Sequence, residues 1–252
     1  MKIARVAESI CKLLSLPNGI SERYVRFQLE RMTTEQIFTK IYTNNLWKGK
    51  NSVSGPGSEL DQTGTVIQSL SRIIREYEFS TMLDVPCGDF HWMKEVDLGD
   101  VDYIGADIVT ALLEENTRRY SGEQIRFQKC DLISDQIPCV DLILCRDCLV
   151  HFSTQDSFSA LKNICDSHSG FLLTTTFPEQ LVNQEIRTGG WRALNLEIEP
   201  FCFPPPLTTI NEGCTEENGT YQDKSLGLWS IADLTNHLDS GVPNMCQMQP
   251  MR

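Results

Sequence analysis

The stretch Leu83-Asp84-Val85-Pro86-Cys87-Gly88-Asp89 decides the fold of this chain of 252 residues. It joins an apolar run to a turn in which a glycine stands beside acidic residues. From residue 81 onward, such short apolar runs alternate with amphipathic segments of helix length, a pattern typical of βαβ units. The sequence therefore predicts an α/β protein with a doubly wound, mostly parallel sheet.

The alternation is regular enough to assign individual elements. Predicted strands cover 82–85, 103–106, 125–129, 140–145, 171–176 and 225–229. Predicted helices cover 66–76, 110–120, 154–165 and 231–238. Because crossovers between parallel strands are right-handed, this order winds the sheet with helices on both faces.

The segments around this core predict three regions. Residues 1–60 form an N-terminal helical extension that ends in a Gly/Ser-rich loop, and 61–240 form the α/β domain. Within that domain, 178–225 is rich in turn formers and too long for a simple connection, so we expect it to cover a substrate together with the N-terminal segment. Residues 241–252 are expected to be a loose tail.

Composition excludes several classes of partner. A formal net charge of −12 argues against nucleic acid and against an anionic membrane surface, because both bind clustered Lys and Arg. No apolar run approaches the ~20 residues that span a bilayer. Ten cysteines are spread along the chain without a compact framework, which favours a reducing cytoplasm. A homodimer is compatible with these features, although no motif indicates it.

Acidic residues follow four predicted strands where each ends: Asp84, Asp107, Asp131 and Asp147. The carboxyl ends of parallel strands meet at one sheet edge, which is where ligands of such folds bind. The turn after the first strand lacks the G-x-G-x-x-G pattern that admits a pyrophosphate. The acids instead favour a cofactor with cationic groups.

These residues resemble the class I S-adenosylmethionine-dependent methyltransferases over residues 65–177. The run 84–89 looks like that family's first motif, and the resemblance implies a seven-stranded Rossmann-like sheet with S-adenosylmethionine as cofactor. It implies that Asp84 orients the methionine end, Asp107 binds the ribose hydroxyls and Asp131 receives the adenine amino group. Asp107 follows Asp84 by about 20 residues, the spacing expected for a ribose-binding acid.

The cofactor site implied by the resemblance includes neighbours of these acids. Its expected residues are Asp84, Pro86, Cys87, Gly88, Asp89, Asp107, Ile108, Asp131, Leu132 and Arg146. The first motif departs from the family in having Pro86 and Phe90 where glycines are usual. Pro86 lacks a backbone N–H, so more of the contact falls to Gly88 and its neighbours.

The segment 141–152 is similar to the family's fourth motif, which faces the transferred methyl group. Its Asp147 and His151 are the candidates for a catalytic base. Methyl transfer to a hydroxyl requires alignment of two reactants and removal of a proton. His151 suits this role because an unperturbed histidine has a pKa of ~6.5.

Two further segments resemble a bacterial subgroup often found beside sugar-modifying functions: Trp47 with 52–58, and 190–196 with 211–213. Trp191 is expected to stack on an acceptor and Arg192 to hold an anionic group. Trp229 has the same capacity to stack, although both tryptophans could equally close the core. The leading expectation is O-methylation of a small polar acceptor, a sugar or related metabolite, while a protein acceptor and N-methylation remain open.

Three alternatives remain open at this point. A nucleotide-sugar or nicotinamide-dependent oxidoreductase would use a similar sheet but needs a phosphate-binding glycine loop. A non-catalytic nucleotide-binding module would keep the sheet without the chemistry. The pair Cys145 and Cys148 has zinc or redox spacing, but no second pair accompanies it, so we expect no metal.

Overall fold

The computed structural model describes residues 31–240, which form a seven-stranded sheet flanked by helices. The strands are β1 (Thr81–Asp84), β2 (Asp102–Asp107), β3 (Ile125–Lys129), β4 (Leu142–Cys145), β5 (Phe171–Thr176), β6 (Thr208–Asn211) and β7 (Ser225–Ser230). Their spatial order is β3-β2-β1-β4-β5-β7-β6. The first five run parallel, and β7 runs antiparallel to both of its neighbours. The predicted fold class is confirmed.

Helices cover both faces of this sheet. They are α1 (Thr34–Thr43), α2 (Leu60–Glu76), α3 (Thr110–Tyr120), α4 (Thr154–Asp166) and α5 (Ile231–Asp239). The last three match their predicted bounds to within one residue. Helix α2 begins earlier than the predicted 66–76, because its first turn carries polar residues and so gives no apolar periodicity to detect.

The central strands β1, β4 and β5 are buried on both faces, as expected for a parallel sheet between helices. In β1, Met82 packs into one hydrophobic cluster and Leu83 into the cluster on the opposite face. The same alternation recurs in β4, where Leu142 and Ile143 join opposite clusters. This period of two places successive strand residues in two separate cores and leaves the strand ends to form a site.

The predicted covering segment 178–225 contains a strand that the sequence did not reveal, and its covering of a substrate stays a prediction. Its residues Thr208–Asn211 form β6, which pairs with β7 at the edge of the sheet. Only Ile210 of this strand is buried. A short edge strand with one buried side chain carries almost no apolar signal, so it was missed.

Both ends of the predicted organisation fall outside the part of the chain that the structure describes. Residues 1–30 of the predicted N-terminal extension and the predicted tail, 241–252, lie outside the described residues. Within the described part of the chain, no helix combines the length and the apolar character needed to cross a membrane.

Candidate active site

A pocket opens at the edge where β1, β2 and β4 end. The N-terminal segment contributes Thr34, Phe38, Tyr42, Trp47, Val53, Ser54 and Ser58 to its wall. The strand ends and the loops after them contribute 84–89, Trp92, 107–109, Leu112, 130–132, 146–148, His151 and Phe152. All residues that we assigned from sequence to the cofactor or to proton transfer therefore line one cavity. The seven from the N-terminal segment were not assigned from sequence.

Asp84 ends β1 and is almost fully buried. Burial raises the pKa of its carboxyl to about 7, and the negative charge of Asp107 acts in the same direction. The Tyr103 hydroxyl, which donates to Asp84 Oδ2 at 2.6 Å, opposes this shift. A cationic ligand would stabilise the ionised form of this buried carboxyl, because its charge replaces the favourable interaction with water that burial removes.

Asp107 ends β2 and is likewise buried. Its carboxylate accepts the backbone N–H of Gly88 at 3.2 Å and that of Val109 at 2.9 Å. Burial raises the pKa of Asp107 to about 6, while these N–H groups lower it. An ionised carboxylate has about four lone-pair sites, so Asp107 keeps acceptor capacity that a ligand hydroxyl can use.

Asp131 follows β3 and also lines the pocket. Its Oδ1 accepts the backbone N–H of Ile133 at 3.0 Å, and its own N–H donates to Asp135 at 2.8 Å. These bonds fix the loop after β3. The acids of three neighbouring strands thus face one cavity, as the strand-end spacing predicted.

Asp89 was expected to contact the cofactor, but its carboxylate has other partners. Its carboxylate accepts hydrogen bonds from Ser52 Oγ at 2.9 Å, the Val53 N–H at 2.8 Å and Ser54 Oγ at 3.1 Å. These donors occupy both oxygens. Asp89 lines the pocket, but its carboxylate binds the loop 52–54 rather than projecting toward a ligand, and this corrects the sequence expectation.

Arg146 was expected to contact the cofactor, and the structure surrounds it with protein partners instead. Its guanidinium makes two hydrogen bonds to Glu212, at 3.1 and 2.7 Å, and a third to the Gly57 carbonyl at 2.8 Å. It also lies over the Trp92 ring, 5.3 Å from the centroid. Arg146 therefore joins the end of β4 to the N-terminal loop and to the residue after β6.

A second buried cation completes this network. Lys224 Nζ lies 2.6 Å from Asp147 Oδ2 and 3.4 Å from Glu212 Oε2. Sequence reasoning assigned no role to Lys224 or Glu212, although 211–213 had drawn attention as a motif. An ion pair between residues so distant along the chain leaves no local signal, so only the fold could reveal it.

Asp147 is a poor candidate for a base, contrary to the sequence expectation. Burial alone would raise the pKa of its carboxyl, but Lys224 and then Arg146 lower it to about 2. A carboxylate this acidic has little tendency to accept a proton at neutral pH. Asp147 instead acts as a counter-ion within the buried network.

His151 retains the properties of a base. It lines the pocket in a short 3₁₀ turn, and its Nδ1 lies 2.6 Å from the Gly190 carbonyl oxygen. Because a carbonyl only accepts, Nδ1 carries the proton in the neutral ring and Nε2 keeps a lone pair. Burial lowers the pKa of His151, so the neutral form predominates at neutral pH.

The three predicted acceptor-binding residues do not reach the pocket. Trp191 packs against Phe177 and Tyr221, outside the cavity wall. Arg192 is 3% exposed and donates to the Gln184 carbonyl at 2.8 Å. Trp229 is buried in the core and donates to the Pro204 carbonyl. None of the three lines this pocket, which corrects the sequence expectation, although Trp191 is 40% exposed and the buried Arg192 Nε has no hydrogen-bond partner within the described part of the chain.

The pair Cys145 and Cys148 is buried, and both thiols are free. A hydrogen bond with Cys145, and then burial, raise the pKa of Cys148. Across residues 31–240, no group of three or more His, Cys, Asp or Glu side chains is arranged to hold a metal ion. The two cysteines pack as small apolar side chains at the end of β4.

Comparison with solved structures identifies the fold. Human N-acetylserotonin methyltransferase, solved in complex with S-adenosylmethionine, is 17% identical over 75% of this chain and 57% of its own, with a TM-score of 0.50. The methyltransferase domain of bacterial CtHen1 is 12% identical over 68% of this chain and 100% of its own, with a TM-score of 0.48. Magnesium protoporphyrin IX methyltransferase from Synechocystis, solved with S-adenosylhomocysteine, is 17% identical over 48% of this chain and 58% of its own, with a TM-score of 0.40.

The likeness to the human enzyme shows that this chain has the fold of the class I methyltransferases. The chain spans just over half the length of the human and Synechocystis proteins. No protein-family model matches it, and no curated protein matches its sequence.

Proposed function

We propose that this chain is a class I S-adenosylmethionine-dependent methyltransferase that methylates a hydroxyl of a small polar acceptor, with a sugar or related metabolite as the leading candidate. One observation carries the proposal: acids at the ends of β1, β2 and β3 line the same pocket as His151. The fold shared with the human enzyme supports it.

The residues in the pocket fit the cofactor. Asp84 would hold the amino group of the methionine end, Asp107 the ribose hydroxyls and Asp131 the adenine amino group. Burial raises the pKa values of Asp84 and Asp107, so hydrogen-bond donors or a cation on a bound ligand would stabilise their ionised forms. When bound, S-adenosylmethionine supplies a methyl group attached to a positively charged sulfur.

The same electrostatics disfavour the oxidoreductase alternative. A dinucleotide brings a pyrophosphate with negative charge to the turn after the first strand. In this chain, that turn lies between the buried carboxyls of Asp84 and Asp107, and the Arg146 guanidinium is already bound to Glu212. A polyanion in this pocket would be repelled by the carboxylates without a free cation to offset them.

Proton removal is assigned to His151. Its Nε2 lone pair would accept the proton of the acceptor hydroxyl during methyl transfer, and the O–H electron pair would stay on the oxygen. The Gly190 carbonyl holds the ring in the required tautomer. General base catalysis of this kind contributes about 10²- to 10⁴-fold to a rate.

The acceptor class rests on the pocket wall and on the charge of the chain. Helix α1 and the loop 52–54 enclose the cavity with both apolar and hydroxyl side chains, such as Phe38, Tyr42 and Ser54. This wall suits a small molecule with apolar and hydroxyl faces. The net charge of −12 favours a neutral or cationic acceptor over nucleic acid.

Calorimetry with S-adenosylmethionine, S-adenosylhomocysteine and NAD tests the cofactor assignment. We expect both sulfur nucleotides to bind and NAD to give no heat of binding. Failure of both sulfur nucleotides would refute the proposal, and binding of NAD alone would favour the oxidoreductase. Transfer of label from S-adenosylmethionine into fractionated metabolite extracts would then identify the acceptor.

A further inference from the structure

Two segments that the proposed cofactor site does not use meet at His151. The indole of Trp47 stacks on the imidazole, with ring centroids 5.0 Å apart and an interplanar angle of 29°. The Gly190 carbonyl lies 2.6 Å from Nδ1 at the edge of the same ring. Trp47 and Gly190 lie more than 100 residues apart in the sequence, so this meeting is a product of the fold.

The backbone around Gly190 holds His151 at more than one point. The Gly189 N–H donates to the His151 carbonyl at 2.9 Å, and the Arg192 N–H donates to the Val150 carbonyl at 3.0 Å. Segment 189–192 therefore runs alongside the turn that carries the histidine. Because these two backbone hydrogen bonds flank Gly190, they fix the position of the Gly190 carbonyl that faces Nδ1.

Trp47 is fixed by its own neighbours. Gly55 has a φ of +101°, and a Cβ at this position would lie 3.1 Å from the Trp47 Cβ. On another side, the Phe38 ring lies 6.4 Å from the Trp47 ring and 6.1 Å from that of Phe152. The indole is thus held between the loop after it and helix α1, with one face against the imidazole.

We propose that Trp47 is a positioning residue for His151: its indole covers one face of the imidazole and, together with the Gly190 carbonyl, holds Nε2 toward the acceptor. This inference rests on the proposed methyl transfer. In the step it serves, the acceptor O–H bond breaks, its electron pair stays on oxygen, and the proton goes to Nε2. The charged groups that act on the imidazole are Asp147, which favours the protonated ring, and Lys224, which disfavours it.

The geometry distinguishes this role from simple packing. A packing residue needs only apolar volume, whereas a ring that orients the imidazole must present a flat face. Trp47→Phe keeps a flat face, and Trp47→Leu keeps apolar volume without one. Tyr77→Ala is the control, because it removes a partly exposed aromatic ring that packs on Phe79 and Phe171, away from the pocket.

The first experiment measures the histidine itself, without cofactor or acceptor. Nitrogen-15 NMR of the full chain reports the tautomer and pKa of each histidine, and His151 is assigned by the signal lost in His151→Gln. We expect the Nδ1–H tautomer in the wild type, in Trp47→Phe and in Tyr77→Ala. In Trp47→Leu we expect a tautomer mixture and a pKa that rises toward ~6.5, because water reaches the ring.

The second experiment measures turnover once an acceptor is known. We expect Trp47→Leu to lower kcat about 10- to 100-fold and to move the acidic limb of its pH profile, because the base is misplaced and hydrated. Trp47→Phe should restore most of the rate and the original limb. A purely structural role for Trp47 would change the amount of folded protein but leave the limb in place.

The outcomes separate this inference from the function it rests on. If His151 has the same tautomer and pKa in Trp47→Leu as in the wild type, Trp47 does not position it and the inference is wrong. If neither sulfur nucleotide binds the wild type, the proposed function is wrong whatever the NMR spectra show. Sulfur-nucleotide binding together with the predicted NMR changes supports both.

Discussion

Asp89 and Ser54 bind each other reciprocally: the Asp89 N–H donates to Ser54 Oγ at 3.0 Å, and Ser54 Oγ donates to Asp89 Oδ1 at 3.1 Å. This pair closes the loop 52–54 onto the turn that follows β1. Gly88 lies directly beneath it, with a φ of +54°, and a Cβ there would lie 2.3 Å from Ser54 Oγ. Two features therefore favour glycine at this position: the positive φ and the close approach of the Ser54 side chain.

Gly88→Ala should therefore destabilise the protein more than Gly99→Ala. Both glycines have nearly the same positive φ, but a Cβ at Gly99 meets no atom within 4 Å. The conformational penalty is common to both, so the difference in chemical denaturation midpoint measures the clash with Ser54. Adding Ser54→Gly to Gly88→Ala should recover part of that difference, and no recovery would contradict this explanation.

Asp107→Asn should weaken S-adenosylmethionine binding by about 10- to 100-fold, because a carboxylate that accepts hydroxyl hydrogen bonds is replaced by an amide with one acceptor oxygen. Asp102→Asn makes the same chemical change at the exposed first residue of the same strand and should leave affinity unchanged. Calorimetry of both variants gives the comparison. Equal affinities in the two variants would mean that Asp107 does not bind the ribose.

Asp84→Asn should stabilise the cofactor-free protein at pH 8 and change little near pH 4. The folded pKa of Asp84, about 7, lies above its ordinary value of 3.8. Its favourable contribution is therefore complete below the ordinary value and is lost as pH rises through about 7. The neutral amide avoids that loss and can still accept the Tyr103 hydroxyl.

Thermal unfolding at the two pH values measures this effect, with Tm rising by about 2–4 °C for each kcal/mol gained at pH 8. Asp107 stays in the variant and has a shift of the same sign, so a smaller dependence on pH persists. Greater stability at pH 8 should come with loss of cofactor affinity. A variant less stable than the wild type at pH 8 would contradict the burial of charge at Asp84.

Lys224→Met should reduce the free energy of unfolding by about 3–5 kcal/mol, because it removes one of the two buried cations that pair with Asp147 and Glu212. Lys129→Met is the matched control: the Lys129 Nζ lies 2.6 Å from Glu35, the same distance as Lys224 from Asp147, but both side chains of this pair are nearly half exposed. An exposed pair contributes less than about 1 kcal/mol. Urea denaturation at neutral pH compares the two variants.

The same variant should alter stability in acid. The folded pKa of Asp147, about 2, lies below 3.8, so its contribution is present above the ordinary value and is lost as pH falls toward 2. Removing Lys224 should shrink this loss, giving a flatter stability curve between pH 4 and 2. An unchanged slope would show that Lys224 does not set the ionisation of Asp147.

His151→Asn should lower kcat about 10²- to 10⁴-fold, whereas His168→Asn, at an exposed turn, should not affect it. The base must be unprotonated, and burial lowers the pKa of His151 from 6.5. Wild-type kcat should thus persist below pH 6.5 and fall only as pH passes the lowered pKa. This acidic limb should vanish in His151→Asn, and its persistence would assign the base elsewhere.

The sequence alone predicted the strands whose residues form continuous apolar runs. β5 matches its predicted bounds, and β1, β2 and β4 differ from theirs by one or two residues, because burial on both faces demands apolar side chains at consecutive positions. β3 also matches its predicted bounds, although none of its residues is fully buried. The sequence also predicted that the acids after the strands lie near one another, since the carboxyl ends of parallel strands meet at one edge of the sheet. Both inferences use information contained in a few adjacent residues.

The roles within the pocket could not be predicted in the same way. Asp89 and Asp147 look like Asp84 and Asp107 in sequence, and they differ only in which distant groups they meet. The loop 52–54 occupies Asp89, and Lys224 holds Asp147 ionised. Whether a carboxylate is free for a ligand, neutralised or a counter-ion depends on partners that the fold brings together.

The turn at 84–89 and its neighbouring acids were therefore readable from the sequence, because hydrophobic periodicity and strand ends are local properties of the chain. The tertiary structure alone decided the edge strand β6, the buried Arg146–Glu212 pair and the contacts of His151. These features are stabilised by burial and by contacts between residues far apart in the chain. No single stretch of sequence encodes such contacts.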